Sequence, residues 1–462
     1  MQQLLRNKLV LAWVGLYALL LFYLSYFTTR IEELQLQACF FLLFILYGVF
    51  LYSKKWSSLV AGNILFFLGV AIFFRLLVFF STPNLSDDYF RFAWDGNLLV
   101  HSYNPYEYKP QEFLNLNDVK NKEYLKKELY QGNSSLFPDG MNSKKYYSVY
   151  PPFNQVLFGL AYALSGDNLF YNILFLRLFL LLFEIGTVVL IYILLKRFKI
   201  PLCNVFIYAF NPLVIVEIVQ NLHFEGVTIF FVLLSIYLLV KRKVVLAGVA
   251  YALGVMTKLI PLLLLPLFLF RVRLTQLVAF YLVIMSVVIL SFLPFSSVDL
   301  FQTFGESIRL YFKSFEFNAS FYYLFREIGF WIKGYNTIQL IGSITPFIVL
   351  SLILFLTVKT RKKQQLTELF MLFTVVLFVY YLLASIIHPW YVIYLVAFTS
   401  FTRLTFPLVW SFTVVFSYYA YRNVGEVQEV SFLLLAEYSL VLLALWYDWN
   451  SNNFISYSNQ KS

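Results

Sequence analysis

Long apolar runs separated by short polar segments make up most of the chain. Two runs at about 9–27 and 36–52 are long enough to cross a bilayer, and a third at about 59–80 leads into the first long polar segment. Further runs lie at about 169–195, 274–293, 338–358, 366–387, 391–402, 405–420 and 431–447. With the shorter runs counted, the pattern predicts an all-α polytopic membrane protein with about 11 to 13 transmembrane helices.

The polar segments predict two loops on one side of the membrane. Residues 81–150 form the first, and residues 111–130 within it, rich in Asn, Lys and Glu with spaced leucines, predict a surface helix. Residues 295–335 form the second. The run at 153–164 is too short to span, so we expect a partly inserted segment there.

One apolar stretch, residues 244–270, contains Lys258 and Pro261 near its centre and lies between two basic clusters. Both of its ends cannot face the cytoplasm if it forms a single span. We therefore expect two shorter helices folded as a hairpin, with the bend at residues 256–261.

Composition agrees with a membrane location. The 462 residues are 61% hydrophobic and 13% charged, against about 25% charged in soluble domains. Cys39 and Cys203 lie inside apolar runs, which favours two small core residues over a disulfide or a metal site. The net charge of +11 does not predict nucleic-acid binding, because the basic residues lie in short loops between spans.

The basic clusters also predict sidedness. Placing all of them in the cytoplasm satisfies the positive-inside rule with one assignment. Asp87, Asp88, His223, Glu225 and His388 then lie together on the outer side. The basic clusters are Lys54 and Lys55; Lys196, Arg197 and Lys199; Lys241, Arg242 and Lys243; Arg271 and Arg273; residues 359–363; and Arg403.

The most acidic stretch at a membrane boundary is residues 86–96. If it is helical, Asp88, Arg91 and Asp95 share one face, and Asp87 faces Arg91 at i+4. Two adjacent carboxylates beside a guanidinium suit proton removal next to a bound anion. The alternative is a solvated charge cluster at the start of a loop.

Other polar residues at membrane depth also require explanation, because a buried charge costs about 2.5–3.5 kcal/mol on insertion scales. His223 and Glu225 suit sugar binding, proton sharing or a metal, or are simply hydrated. Lys258 suits neutralisation of a phosphate, with snorkelling to the interface as the alternative.

Two further features have a functional and a structural interpretation each. The segment that contains His388, Trp390 and Tyr391 suits stacking on a sugar or anchoring in headgroups. Arg177 and Glu184, seven residues apart in one span, form a candidate structural pair. The four cations of residues 295–335 point to an anionic ligand; they are Arg309, Lys313, Arg326 and Lys333.

These motifs together resemble a known family. The resemblance is to the polyprenol-phosphate-sugar-dependent glycosyltransferases of the GT-C superfamily, most closely the bacterial mannosyltransferase-like members. The motifs, in chain order, are Ser86-Asp87-Asp88-Tyr89-Phe90-Arg91-Phe92-Ala93-Trp94-Asp95-Gly96, Asn104-Pro105-Tyr106, Tyr150-Pro151-Pro152, Asn221-Leu222-His223-Phe224-Glu225, Thr257-Lys258-Leu259-Ile260-Pro261 and His388-Pro389-Trp390-Tyr391.

The resemblance implies transfer of a hexose, most commonly mannose in this family, from a polyprenyl-phosphate donor to a lipid-linked or glycan hydroxyl. It implies inversion at the sugar and an acidic residue of the first outer loop as general base. The family motif matches Asp88, with Asp87 as the second candidate. The resemblance then gives substrate and donor binding to Arg91, Trp94, Asp95, Tyr150, His223, Glu225, Lys258, His388, Trp390 and Tyr391.

The implied organisation is an N-terminal hairpin (1–57), a GT-C-like catalytic core (58–403) and C-terminal helices with a polar tail (404–462). No cofactor is predicted and no metal is assigned. The expected location is the bacterial cytoplasmic (inner) membrane, with the active site on its outer face, membrane lipid as a partner and no nucleic acid. The alternatives are a polysaccharide ligase or polymerase and a non-catalytic lipid-linked oligosaccharide flippase.

Overall fold

A computed structural model describes residues 7–113, 141, 143–362, 364–423 and 426–454. The first part of the described chain contains α1 (Lys8–Phe27), α2 (Glu33–Tyr52), α3 (Lys54–Ala61), α4 (Ile64–Leu77), α5 (Asp88–Val100), α6 (Pro152–Ser165), α7 (Leu169–Phe198), α8 (Val205–Ala209) and α9 (Pro212–Val214). The expected surface helix at 111–130 lies almost wholly outside the described residues, since only a 3₁₀ helix at Pro110–Phe113 is described there.

The second part is also helical. It contains α10 (Glu225–Val240), α11 (Val244–Val255), α12 (Leu274–Phe292), α13 (Leu300–Lys313), α14 (Phe321–Lys333), α15 (Ile338–Lys359), α16 (Glu368–Leu383), α17 (Ile393–Thr399), α18 (Phe406–Thr413) and α19 (Ser431–Asn450). The described residues contain no β-strand, and their isolated β-bridge joins Phe317 to Ile386. The all-α fold class is confirmed.

The helices have the lengths and composition of a polytopic membrane protein. Six of them are long and apolar enough to cross a bilayer, and the pair Leu202–Ala209 and Pro212–Gln220, bent by 53°, forms a seventh candidate. Five further apolar helices have 10–17 residues. Only when these shorter helices are counted does the total fall within the expected 11 to 13 spans.

The bend in the seventh candidate has a local cause. Asn211 caps the second half, where its side-chain oxygen accepts from the backbone N–H groups of Leu213 (3.0 Å) and Val214 (3.3 Å), and Pro212 occupies the first helical position. The chain then continues as a π-helix, Ile215–Gln220.

Arg177 of α7 satisfies the end of this π-helix. Its guanidinium donates to the carbonyls of Val219 (2.8 Å) and Gln220 (2.9 Å), and also to that of Phe79. The expected pairing of Arg177 with Glu184 is therefore wrong, because Glu184 instead pairs with Arg75 of α4 at 3.0 Å. Both charges of that pair are buried.

The N-terminal hairpin packs directly on the bent helix pair. The Trp13 ring of α1 contacts the rings of Phe50 (4.9 Å) and Phe210 (5.2 Å), and the Tyr17 hydroxyl donates to the carbonyl of Phe210 (2.6 Å). Aromatic rings of this size bury large apolar areas. The hairpin and the rest of the membrane helices therefore share one continuous core.

The stretch 244–270 folds as two helices, as expected. The α11 helix ends at Val255, and a 3₁₀ helix covers Ile260–Phe268. The break between them accepts hydrogen bonds from the start of α6: Phe153 N–H donates to the carbonyl of Met256 (3.1 Å), and the Asn154 amide donates to that of Thr257 (2.9 Å). These bonds fix the residue before Lys258 against α6.

The short apolar run at 153–164 forms α6, which crosses α5 closely. A Cβ at Gly96 would lie 2.4 Å from the carbonyl oxygen of Phe158, so only glycine fits there. Beside this contact, the rings of Phe92 and Phe158 stack at 4.6 Å. The close crossing fixes the start of α5 relative to the Tyr150 segment.

Five segments meet at one end of the helix bundle, which we call the acidic end: residues 28–32, 81–88, 143–151, 314–320 and 384–390. Arg30 pairs with Asp87, the rings of Tyr146 and Phe315 lie 5.4 Å apart, and Phe317 forms the bridge to residues 385–387. Several basic clusters meet elsewhere: Arg271 donates to Thr360 at 2.8 Å, and α3 contacts Leu202–Asn204.

Candidate active site

The acidic stretch folds as α5, whose first residue is Asp88 and whose N-cap is Asp87. Carboxylates at a helix N-terminus are favoured by the helix dipole. The predicted contact of Asp87 with Arg91 is wrong. Asp87 pairs instead with Arg30 (2.6 Å), and Arg91 pairs with Asp95 at i+4 (2.7 Å).

Arg91, Trp94 and Asp95 lie inside the protein. The Asp95 carboxylate accepts from Gln155 (3.0 Å) and from the Ser148 hydroxyl, while Arg91 donates to the carbonyl of Tyr146 (2.8 Å). Trp94 is 1% exposed and packs with Leu98 and Met141. In this geometry Arg91 and Asp95 hold the returning loop in place, and the predicted role of the three residues in substrate binding stays a prediction.

Asp88 is more accessible. Among the described residues its carboxylate accepts a hydrogen bond from a single side chain, the hydroxyl of Tyr150, at 3.2 Å. Tyr150 is itself fixed, because its carbonyl accepts from Tyr106 (2.7 Å) and Gln155 (3.2 Å). A partly exposed carboxylate with one neutral donor retains capacity to accept a proton.

Lys258 lies over the ring of the same tyrosine. Its Nζ is 5.6 Å from the centre of the Tyr150 ring and 3.0 Å from the Glu225 carboxylate. Glu225 is fully buried and Lys258 is 22% exposed. Glu225 therefore holds the ammonium in place while part of the lysine side chain remains accessible. Tyr150 lies near both charged groups, with its ring near Lys258 and its hydroxyl at Asp88.

A second group brings together three sequence-predicted residues. The Trp390 ring stacks with His223 (3.7 Å) and with His388 (4.4 Å), nearly parallel to both. Two imidazoles cannot lie side by side on one indole face at these distances without overlapping, so they cover opposite faces. The Trp390 ring thus contacts two imidazoles, and its expected role in sugar stacking stays a prediction.

The two histidines have different surroundings. His223 Nε2 lies 3.2 Å from Glu217, a buried carboxylate that also accepts from Tyr418 and from Asn221 (3.2 Å). Burial lowers the pKa of His388 to about 3, and nearby His223 and Lys258 lower it further. His388 is therefore neutral at physiological pH and close to both of these groups.

Tyr391, which follows Trp390 in the chain, lines an apolar groove. Its ring lies 5.5 Å from His388 and 5.9 Å from Tyr381. The groove is lined by Tyr322, Ile341, Gly342, Thr345, Tyr380, Leu383, Ala384, Ser385, Ile386 and Tyr391.

The cations expected to mark an anion site in residues 295–335 include one that is already paired. Arg326 contacts Glu316 at 2.6 Å and Glu327 at 2.8 Å. Burial raises the pKa of the Glu316 carboxyl, but hydrogen bonds from Tyr322 and Asn336 and the Arg326 charge outweigh it, so the pKa lies below its ordinary value. Arg326 thus stabilises the start of α14.

Sequence reasoning missed two residues of the acidic end, Arg30 and Phe317, and Tyr421, which contacts both. Phe317 contacts His388 (5.2 Å) and Tyr421 (5.5 Å), and Arg30 lies over the Tyr421 ring at 5.4 Å. No periodic pattern relates residues so far apart in the chain. Within the described ranges, no three His, Cys, Asp or Glu side chains lie close enough to hold a metal ion.

The all-helical membrane fold, with separated acidic, basic and aromatic motifs gathered at one end, is that of a GT-C-type membrane glycosyltransferase. The chain belongs to the MptA_B family, described as alpha-(1->6)-mannopyranosyltransferase, N-terminal domain, whose family model matches residues 7–275. No curated protein and no solved structure matches the chain. The protein is therefore a mannosyltransferase-like glycosyltransferase, an enzyme that takes a sugar donor and a glycan acceptor.

The family match covers most of the candidate site. It includes Asp88, Tyr150, His223, Glu225 and Lys258 and ends before the His388 segment. It also begins at residue 7, so the first two helices, set apart from the sequence as an N-terminal hairpin, lie within the matched domain.

Proposed function

We propose that the protein transfers a mannose from a polyprenyl-phosphate donor to an acceptor hydroxyl, with inversion at the sugar and Asp88 as general base. The observation that carries the proposal is that Asp88 and Lys258 lie around one side chain, Tyr150: the carboxylate accepts from its hydroxyl at 3.2 Å and the ammonium lies 5.6 Å from its ring centre. A base and a cation held at two positions around one tyrosine match a reaction that removes a proton at one point and releases a phosphate at another.

Asp88 acts on the acceptor. The hydroxyl oxygen forms a bond to the anomeric carbon while the bond from that carbon to the phosphate oxygen breaks, and the hydroxyl proton passes to the Asp88 carboxylate. An alcohol is far less acidic than a carboxylic acid, so the proton leaves only as attack proceeds. Positioning of the two substrates supplies much of the remaining rate enhancement.

Lys258 acts on the leaving group. The departing lipid phosphate gains negative charge as the sugar bond breaks, and an ammonium held by Glu225 offsets that charge without having to reorganise. Lys258 Nζ forms an ion pair with Glu225 Oε1 at 3.0 Å, and because an ammonium has three N–H donors, donors remain for phosphate oxygens. Glu225 thus serves as the positioning partner of Lys258.

A lipid donor fits the surroundings of the site. The sequence contains no Walker loop or Gly-rich nucleotide fingerprint. The groove beside Tyr391 is lined mainly by apolar and aromatic side chains of α14, α15 and α16, and it lies next to the His388 segment. Such a groove suits an isoprenoid chain whose phosphate reaches Lys258.

The proposed location is the outer face of a bacterial cytoplasmic membrane. The basic clusters are placed in the cytoplasm by the positive-inside rule. The acidic end, with Asp88, then faces outward. A lipid-phosphate donor, which needs no soluble nucleotide, is compatible with chemistry on that side.

The test uses purified protein in detergent with a synthetic short α-mannoside as acceptor. Since the family name specifies an alpha product, inversion requires a β-linked polyprenyl-phosphate-mannose, and the α-linked donor should give no transfer. Asp88→Asn should lower kcat by about 100-fold or more, whereas Asp87→Asn should retain most activity. Retention of full activity in folded Asp88→Asn protein would remove this carboxylate from the mechanism.

A further inference from the structure

Arg30 is a cation at the acidic end to which neither the sequence motifs nor the family resemblance gives a role. It lies in the turn between α1 and α2, and its Nη2 contacts Asp87 Oδ2 at 2.6 Å. The two side chains are 31% and 25% exposed, so the pair lies at the rim of the site. Asp88, the next residue, points its Oδ2 at Tyr150 instead.

The Arg30 guanidinium has a second partner. It lies 5.4 Å from the centre of the Tyr421 ring, and that ring contacts Phe317, which in turn contacts His388. Arg30 therefore connects the N-terminal hairpin directly to the acidic stretch and, through Tyr421 and Phe317, to the His388 segment. A cation over an aromatic face that also binds a carboxylate has a well-defined position.

We infer that Arg30 is a positioning residue for the transfer reaction: it holds the Asp87 carboxylate away from the acceptor and compensates its charge, so that Asp88 alone acts as base. The inference rests on the proposed function. It explains how two adjacent acidic residues at one helix start have different tasks.

Loss of Arg30 should shift the pH dependence of activity in a defined direction. Without Arg30, an uncompensated Asp87 carboxylate beside Asp88 would disfavour ionisation of Asp88, because like charges raise the pKa of a neighbouring carboxyl group. Activity that requires ionised Asp88 would then be lost at a higher pH than in the wild type. The titratable and charged groups around the two carboxylates are Arg30, Tyr89, Arg91, Tyr150, Lys258, Tyr421 and Glu429.

Tyr89 supports this account of the charges. Burial, together with the adjacent Asp87 carboxylate, raises the pKa of Tyr89 to about 12, and Arg30 opposes that increase. Tyr89 is therefore neutral throughout the range from pH 4 to 9 in which activity is measured. The acid limb of a pH profile would then report on the carboxylates.

The experiment measures kcat and KM for mannose transfer from pH 4 to 9 in detergent-purified full-length protein. The variants are Arg30→Met, Arg30→Lys and the exchange Arg30→Asp with Asp87→Arg. Arg326→Met is the matched control, because it also breaks a 2.6 Å ion pair between partly exposed side chains but lies on α14. Asp88→Asn is measured in parallel.

We expect Arg30→Met to lower kcat by about 10-fold and to move the acid limb of kcat upward by about half a pH unit or more. Arg30→Lys should have the acid limb of kcat at the wild-type pH. The exchange of Arg30 and Asp87 should recover part of the lost kcat. Arg326→Met should match the wild type in kcat and in the position of the acid limb. An unchanged acid limb in active, folded Arg30→Met protein would overturn the inference. A fully active Asp88→Asn would instead overturn the proposed function, so the two failures are distinguishable.

Discussion

At the scale of single residues, the ion pair of Lys258 and Glu225 is the contact whose disruption we expect to reduce both stability and activity. Glu225 is fully buried, and among the described residues its carboxylate has Lys258 as its partner. Breaking a buried pair leaves an uncompensated charge, whereas removing both charges can be neutral. This asymmetry allows stability and catalysis to be measured separately.

We therefore expect Lys258→Met to destabilise the protein by about 3 kcal/mol, the lower end for a buried pair because Lys258 is partly exposed. Lys258→Met combined with Glu225→Met should recover most of that loss but should still transfer mannose at least about 10-fold more slowly, since the phosphate has lost its cation. Thermal unfolding in detergent and kcat on the same samples check this. Wild-type activity in the double variant would show that Lys258 is only structural.

The residues of the site differ in how well the sequence could predict them. Asp88, Tyr150 and Lys258 belong to motifs that resemble a known family, and the structure places them together. Helical spacing also placed Arg91 and Asp95 on the face of Asp88, but spacing does not say what a face packs against. The loop at 143–148 covers them, and that contact depends on residues about 50 positions away.

At the scale of helices, the π-helix Ile215–Gln220 depends on Arg177. Three carbonyl groups accept hydrogen bonds from this single side chain, and the bonds to Val219 and Gln220 are buried. A buried acceptor left without a donor costs about 1–3 kcal/mol. The irregular helix therefore persists because a residue on α7 satisfies its end.

Replacing Arg177 with Met should destabilise the protein by about 3 kcal/mol or more, because three carbonyls lose their donor. Arg326→Met, at a partly exposed pair, should change stability by less than about 1 kcal/mol. The measurement is the midpoint of thermal unfolding in detergent for each variant. Equal midpoints for the two would contradict the role given to Arg177.

The sequence predicted most helices and missed their irregular parts, for a physical reason. Apolar runs bounded by charges predict α1, α2, α12 and α15 well, because each must satisfy its backbone inside the bilayer. The same apolar composition is compatible with α-, 3₁₀- and π-helices. Near Lys258 and Pro261 a break was predictable, but the π-helix depends on Arg177, whose partners are more than 40 residues away.

At the scale of the whole molecule, the charge distribution carries the strongest prediction from the sequence. The rule that basic loops face the cytoplasm predicts that Asp88, His223, Glu225 and His388 lie on one side of the membrane. The structure brings these residues close to one another. What the rule could not supply is how the first hairpin joins the rest, since that depends on Trp13, Tyr17 and Arg30.

Sidedness itself is open to direct measurement. In protein whose two native cysteines are replaced by serine, we introduce single cysteines at Val298, which is fully exposed, and at Lys243 in a basic loop. Val298 follows Phe295, whose carbonyl accepts from Asn104 of the first polar loop at 3.0 Å. Val298→Cys should therefore react with a membrane-impermeant maleimide in intact expressing cells. Lys243→Cys should react only after the membrane is permeabilised. The reverse pattern would place the acidic end in the cytoplasm and would make a donor presented at the outer face impossible, whatever the kinetics of Asp88→Asn show.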